Sequence, residues 1–351
     1  MKRIPLTRIA SIVPIRDFLL RAGADVDDVM RSAALPSAVF ADPELLVPYP
    51  VVTRFLDRAG DTLGGETLGA RAGHATPLES LGIFGRRVAT STTLADALMT
   101  AMDGAPAYSG ESFWLTHVGN DVRLHHRFPL RLDDRHQQAE QLSLCIALRF
   151  LKSIAAPAWQ PRVHLKKGMP RAIADLPMLR TSAIVFDQPT WAITFPRTLL
   201  PRRLPAPKTA APRPAVLERW LASAPGSDLV TTLTQVIGTA LVTGDAGIGR
   251  VAGWVGTSTR TLQRRLEGAG TSYAEILART RFAAATRLLD ESAWTVQDIS
   301  RMVGYSDPAH FTRAFRRWTG SPPRAFRDVR MCDANRLVAN SASVPSRKFV
   351  A

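Results

Sequence analysis

Two stretches share one construction: "IGRVAGWVGTSTRTLQRRL" at residues 248–266 and "VQDISRMVGYSDPAHFTRAF" at residues 296–315. In the first, Ala252 stands four residues before Gly256; in the second, Ser300 stands four before Gly304. A helical pattern follows each glycine. A small side chain lets two helices cross closely, and glycine supplies the positive φ of the turn between them, so each stretch reads as a helix-turn-helix. Capping residues open the second helices: Thr257 or Ser258 in one, Ser306 or Asp307 followed by Pro308 in the other.

Helical spacing then sorts the side chains. Leu262 and Leu266 lie four apart and face a core, while Arg260, Gln263 and Arg264 fall on a different stripe that faces outward. Arginine can bond guanine O6 and N7 bidentately and glutamine can do the same to adenine N6 and N7, so this stripe suits major-groove readout. In the second unit Phe311 and Phe315 are the core pair, and Ala309, His310, Arg313 and Arg317 form the presented side. One cationic helix face alone is usually just solvated. Two units of matched construction, with their glycines 48 residues apart and one long helix between, are a stronger signal.

Composition agrees with that reading. The 351 residues suffice for two domains. A hydrophobic share of 46% with 21% charged residues is that of a folded chain rather than a disordered one. Lys and Arg number 45 against 30 Asp and Glu, a net +15 that favours a polyanionic partner, either nucleic acid or an anionic membrane surface. Residues 246–330 hold 14 arginines, no lysines and 7 acids.

Cys145 and Cys332 are far apart in sequence, which rules out a disulfide framework or a cysteine-based zinc site and fits a reducing compartment. The opening "MKRIPLTRIASIVPIRDF" is interrupted by Arg8, Pro14 and Arg16, so it is not a signal-peptide core. "LSLCIALRFLKSIAA", an apolar run, carries Arg149 and Lys152 and is too short to span a bilayer. A cytoplasmic location with no membrane partner is expected.

Six prolines in "PRTLLPRRLPAPKTAAPRP", residues 196–214, exclude a continuous helix and predict an extended linker. Before it the pattern is mixed. Helical periodicity at residues 15–33, 50–63 and 93–105 gives way to "ESFWLTHVG-ND-VRLHHRF" at residues 111–128, read as a hairpin around an Asn-Asp turn. A long helix is expected at 135–155, then strands at 162–167, 183–187 and 191–195 with a helical "RAIADLPML" among them. After Asp228 the pattern is nearly all helical, and Ser272 with Glu275 forms a capping box before the long central helix. The expected fold is an α+β N-terminal domain at 1–200, for which the family resemblance described below implies a sensor and dimerisation role, a Pro-rich linker at 201–225, an all-α double helix-turn-helix DNA-binding domain at 226–330 and a disordered tail at 331–351.

The C-terminal region resembles the AraC/XylS family of bacterial transcription regulators. The family's pattern is carried here by Ile299, Ser300, Gly304-Tyr305, Phe311, Arg313, Phe315, Gly320, Pro323 and Phe326-Arg327. Ser258 to Leu266 is similar to the family's first recognition helices, with Thr259 added; Ser300 stands where alanine is more usual. The resemblance implies that the helix at 272–290 holds the two recognition helices against one face of the duplex, in successive major grooves about 34 Å apart. It implies DNA contacts from Ser258, Thr259, Arg260, Gln263 and Arg264 in the first unit. In the second it implies Ala309 and His310, with Arg313, Arg316 and Arg317 on phosphates. It also implies contact with RNA polymerase, with activation the expected sign.

The N-terminal part is similar to the arabinose-binding type of domain in the same family, through "VPYPVVTRFLDRAGDTLGGETLGARAG", "LGIFGRRVATSTTLADAL" and "SAIVFDQPTWAITFPRTLLPRRL". That resemblance implies a small-molecule effector and a homodimer; it does not imply arabinose. No phosphate loop, G-x-S-x-G, H-E-x-x-H or C-x-x-C occurs, so neither enzyme, cofactor nor metal is expected. His125 and His126 are adjacent and face opposite ways on a strand. DNA-repair methyltransferases that share such a DNA-binding region need a cysteine cluster, which two isolated cysteines do not supply. An apolar pocket is expected from Phe113, Trp114, Trp159 and Trp191, with His117, His126 or Lys152 as polar anchors. Two other readings of the N-terminal half stand beside the sensor: a module that only dimerises, and an architectural DNA-binding protein with no effector.

Overall fold

The structure, a computed structural model, describes residues 4–63, 65–129, 137–291 and 293–328; the expected tail at 331–351 lies outside them. The chain divides into two compact units, one of Met1–Val236 with Ala252–Thr257, the other of Ile237–Val251 with Ser258–Ala351.

The first unit is α+β, as expected. It begins with β1 (Leu6–Arg8), α1 (Val13–Arg21), α2 (Val26–Ser32), β2 (Leu46–Pro48) and α3 (Tyr49–Leu63). Next come α4 (Leu68–Ala75), α5 (Gly82–Ala89), α6 (Leu94–Ser109) and a hairpin of β3 (Ser112–Val118) and β4 (Asp121–Arg127). α7 (Gln138–Ile154), β5 (Arg162–Lys166), β6 (Ala183–Gln188), β7 (Ala192–Pro196) and α8 (Pro214–Ala222) complete it. β1 and β2 pair antiparallel, and the larger sheet runs in the order β3-β4-β7-β5-β6, parallel only between β5 and β6. Alternation puts Leu115, Val122, Leu124, Ile193 and Phe195 in the main core, where they meet Leu94 and Leu98 of α6 and Leu144, Leu148 and Leu151 of α7. A full capping box starts α6: Asp96 N–H donates to Thr93 Oγ1 at 3.2 Å, and Thr93 N–H to Asp96 Oδ2 at 3.1 Å. Cys145 sits in this core, where burial pushes its thiol up to about 12.

Three expectations are corrected in this unit. The hairpin turn is Gly119–Asn120, not Asn-Asp, because Asp121 already pairs with Val118 and Gly119 takes the positive φ (59°) that a two-residue hairpin needs. The stretch "RAIADLPML" makes only a 3-10 turn, Arg171–Asp175, since Pro170 and Pro177 leave no room for a longer helix. The Pro-rich linker expected at 201–225 holds a helix in its second half, since α8 starts at Pro214, where the stretch read as extended, 196–214, ends. Proline fits the first helical position, where its missing N–H has no intrahelical partner to lose. Trp220 of α8 is buried.

Arg8 packs against the Trp220 ring. This guanidinium is almost wholly enclosed (1% exposed), and burial lowers its pKa to about 10. It donates from Nε to Ala107 O, from Nη1 to Glu44 O and from Nη2 to Trp220 O, each at 2.9 Å, and lies 4.7 Å over the Trp220 ring. Trp220 Nε1 in turn donates to Glu44 Oε2 at 2.6 Å.

The remaining elements are helical: α9 (Leu229–Val242), α10 (Ile248–Trp254), α11 (Thr259–Glu267), α12 (Tyr273–Glu291), α13 (Val296–Met302) and α14 (Pro308–Thr319). The division between units runs through α9 and α10. The expected capping box of α12 is present, with Glu275 N–H donating to Ser272 Oγ at 3.2 Å and Ser272 N–H to Glu275 Oε2 at 3.0 Å. A core of Ala285, Leu289, Ile299, Val303, Phe311 and Phe315 binds α12, α13 and α14 together, with Phe282, Trp318 and Phe326 packed on it.

Candidate nucleic-acid interface and ligand cavity

Both turns close in the same way. Gly256 and Gly304 adopt φ of +70° and +79°, and the residue after each glycine donates back five positions, Thr257 N–H to Ala252 O and Tyr305 N–H to Ser300 O, both at 2.9 Å. This is the six-to-one bond of a left-handed helix C-cap, and its acceptor is the small residue of each motif. Ala252 and Ser300 are buried, at 1% and 0% exposure. Of the candidate caps, Ser258 and Asp307 do the capping: Ser258 Oγ accepts from Thr261 N–H at 3.2 Å, Asp307 Oδ1 from Ala309 N–H at 2.8 Å.

The two second helices then sort as their spacing predicts. Leu262 and Leu266 of α11 are fully buried, while Ser258, Thr259, Arg260, Gln263, Arg264 and Arg265 are exposed. On α14, Phe311, Ala314 and Phe315 are buried, while Ala309, His310, Arg313, Arg316 and Arg317 are exposed. Among the described residues, Arg260, Arg264, Arg313, Arg316 and Arg317 form no ion pair; His310 stands 3.8 Å from Asp307. Cationic side chains left without carboxylate partners on an exposed stripe are free to meet phosphates and base edges.

One residue that sequence reasoning missed fixes the second turn. Arg281 of α12 donates from Nη2 to Gly304 O at 2.8 Å, and its guanidinium lies 4.7 Å over the Tyr305 ring. The aromatic that follows the second glycine is therefore structural, the platform for the arginine that pins the turn.

In the first unit a cavity of about 110 Å³ opens between the sheet and the helices. Six aromatic side chains line it: Tyr49, Phe84, Tyr108, Phe113, Phe128 and Phe150. Its ionisable groups gather around Glu111, 6% exposed, whose Oε1 accepts from Tyr49 Oη at 3.3 Å and whose Oε2 lies 2.8 Å from His126 Nε2. Burial, then the Glu111 charge, pushes the hydroxyl pKa of both Tyr49 and Tyr108 well above its ordinary value, so both stay neutral donors. Tyr108 stacks on Phe84 at 4.6 Å, and its hydroxyl, though buried, has no hydrogen-bond partner.

The expected pocket residues meet this geometry only in part. Phe113, His126 and Trp191 come together: His126 stacks on Trp191 at 4.8 Å and lies 4.6 Å from the Phe113 ring. Of the three, Phe113 lines the cavity, His126 packs behind it against Glu111, Phe113 and Phe128, and His126 and Trp191 line a separate pocket with Glu140 and Lys166. Trp114 is on the opposite sheet face, stacked on His125 at 4.9 Å. His117 is exposed near the end of β3, and Trp159 packs at the margin of the core. Lys152 turns away from the cavity to donate to Met178 O at 2.6 Å. Glu111, Tyr108 and Tyr49 are not among the expected residues; the nearest sequence signal for them is the "YSGE" at 108–111, polar groups between an apolar helix and an apolar strand.

Two helix-turn-helix elements with free donors, joined to an α+β unit that encloses an apolar cavity, define a class: a DNA-binding transcription regulator with a ligand-binding domain. Comparison with known proteins gives the family. The model of the arabinose-binding domain of AraC transcription regulators, N-terminal, matches residues 23–204, and a helix-turn-helix domain model matches residues 251–342. The chain belongs to the AraC family of helix-turn-helix transcriptional regulators. It is similar to the HTH-type transcriptional regulator Rv1395 of Mycobacterium tuberculosis, with 27% identity over 87% of this chain and 91% of that protein. It is also similar to the ornithine utilization regulator of Pseudomonas aeruginosa, with 24% identity over 93% and 99%. A shorter match, 44% identical over 20% of this chain and 21% of the other, is to the regulator VqsM of the same species. No helix among the described residues is long and apolar enough to cross a membrane.

Proposed function

We propose that this regulator reads a two-part DNA site as a cytoplasmic homodimer, activates transcription through contact with RNA polymerase, and has no enzymatic activity. In this reading residues 1–200 sense and dimerise, the segment 201–225 joins, and 226–330 bind DNA. Base reading falls to Arg260, Gln263 and Arg264 of α11, supported at its start by Ser258 and Thr259. α14 contributes phosphate contacts from Arg313, Arg316 and Arg317, with Ala309 and His310 against the bases. The observation that carries this is the exposed stripe of α11: three donors at i, i+3 and i+4, opposite two fully buried leucines, with no ion pair to either arginine among the described residues.

The test is a selection of bound genomic fragments at near-physiological salt, with wild type and Gln263→Ala side by side. Wild type should enrich sites with two half-motifs about one helical turn apart. The variant should lose about 1–3 kcal/mol of discrimination at one base pair and little elsewhere. Even recovery of the genome by both proteins, with binding that collapses as salt rises, is the architectural behaviour and would remove the base-reading assignment.

A further inference from the structure

We propose that the cavity beside Glu111 is the effector site and that its effector is a small uncharged phenol, a single aromatic ring with one hydroxyl. The proposal rests on the reading of this chain as a ligand-controlled regulator and names the class of ligand that controls it.

Three features of the cavity select that class. The first is size. A closed apolar cavity of about 150 Å³ holds benzene, so about 110 Å³ is on the scale of a single ring, with any substituent placed toward the open side. The second is the wall. Six aromatic rings, with Ile12, Val52, Leu56 and Leu98 among the aliphatic neighbours, offer edges and faces to a ring. Thr7, Ser11 and Ser143 add hydroxyls to the wall, with Thr7 Oγ1 donating to Ser11 Oγ at 3.0 Å, but a sugar would bring more hydroxyls than a mainly apolar wall can pair, and each one stranded costs free energy.

The third feature is the polar chemistry. Among the described residues that line the cavity there is no lysine or arginine, and the buried acid is Glu111. A carboxylate ligand would therefore enter beside a like charge with no cation to meet it, which disfavours it strongly. Two hydrogen-bonding vacancies of opposite kind remain. Glu111 accepts from Tyr49 and pairs with His126, and a carboxylate offers about four lone-pair positions, so it can accept more. Tyr108 lines the same cavity with a buried hydroxyl that has no hydrogen-bond partner. One ligand hydroxyl satisfies both, donating to Glu111 and accepting from Tyr108. A bare hydrocarbon satisfies neither.

The experiment is thermal unfolding and titration calorimetry of the full chain with p-cresol, toluene and 4-methylbenzoate, which share a ring and methyl group and differ in the second substituent. The p-cresol should bind saturably and raise the unfolding temperature as its concentration rises. Toluene should bind about tenfold more weakly, and 4-methylbenzoate more weakly still. Tyr108→Phe should cost p-cresol about fivefold in affinity and leave toluene unchanged, since the lost hydroxyl is one that only a hydroxyl ligand uses. Glu111→Gln, as a second variant, should narrow the gap between p-cresol and the benzoate. Toluene binding as tightly as p-cresol, or 4-methylbenzoate binding more tightly, overturns the assignment. The regulatory reading is tested separately by measuring affinity for a selected DNA site with and without saturating p-cresol. No p-cresol binding with an intact two-part site defeats the ligand class alone. Saturable binding with less than a twofold change in DNA affinity defeats the effector role on which the class rests.

Discussion

Replacing Arg281 with methionine should loosen the second helix-turn-helix and leave the first intact. The arginine reaches from α12 to the turn between α13 and α14, where it donates to Gly304 O at 2.8 Å and covers the Tyr305 ring at 4.7 Å. A hydrogen bond from a charged donor contributes about 1.5–3 kcal/mol. A cation over an aromatic ring adds about 0.5–1 kcal/mol where it is partly solvated. Against these stands the buried Arg281 Nε, which has no partner and whose stranded N–H costs about 1 kcal/mol or more in wild type. Methionine keeps the aliphatic stem and removes the stranded group, so the net loss is about 2 kcal/mol.

Global unfolding is a poor readout for a chain with two units, because it need not be two-state. Hydrogen exchange read by mass spectrometry reports each segment separately. A loss of about 2 kcal/mol corresponds to roughly thirtyfold faster exchange, at about 1.4 kcal/mol per tenfold. The change should appear in residues 296–319, which cover α13 and α14, and not in α11, whose core leucines do not depend on this turn. Exchange within threefold of wild type across 296–319 would refute the reasoning. Equal acceleration in α11 would refute it differently, by showing that the arginine supports the whole region rather than one turn.

Two further outcomes follow from buried polar groups. Ser300 is fully buried and its hydroxyl has no partner, so Ser300→Ala should stabilise the α12–α13–α14 core by about 1–2 kcal/mol, seen as slower exchange across 296–319; faster exchange would show that the hydroxyl makes a bond after all. His164 is buried at 5% exposure, and desolvation, then Arg123 and Arg162, holds its pKa at about 4. The native ring refuses a proton that the unfolded chain accepts near pH 6.5, so stability of the first unit should fall as pH drops from about 6.5 to 4, by up to about 1.4 kcal/mol per pH unit. His164→Gln should flatten that slope, read as hydrogen-exchange protection of residues 162–166 between pH 4.5 and 7, and an unchanged slope would place the acid sensitivity elsewhere.

The helix-turn-helix elements were legible in the sequence because everything that makes them is local. A small residue, a glycine four positions on, a cap and a leucine pair all lie within twenty residues, and the helical period alone decides which side chains are buried. The β3–β4 hairpin was legible for the same reason, down to a one-residue error in its turn. The cavity was not legible, because its walls come from residues as distant as Thr7 and Leu151, and each aromatic looks by itself like ordinary core. The tryptophan and histidines of the hairpin lie on both faces of its strands. Choosing among them by residue type selects Trp114 from the wrong face, since which face of β3 meets the helices is settled only when α6 and α7 pack. α8 was not legible because proline density reads as extended chain, while Pro214 sits where a helix accepts it.

The cavity and α8 meet at one strand. Thr7 of β1 lines the cavity, and the next residue, Arg8, points the other way and holds α8 through Trp220 O and the Trp220 ring. The same guanidinium bonds Ala107 O, adjacent to Tyr108, which is also a cavity wall. A buried guanidinium stripped of its acceptors costs several kcal/mol, far more than a small side-chain shift. The three elements that Arg8 ties, β1, the end of α6 and α8, must therefore adjust together or separate together. α8 lies in the chain between the last strand of the sheet and the helices that carry the recognition residues.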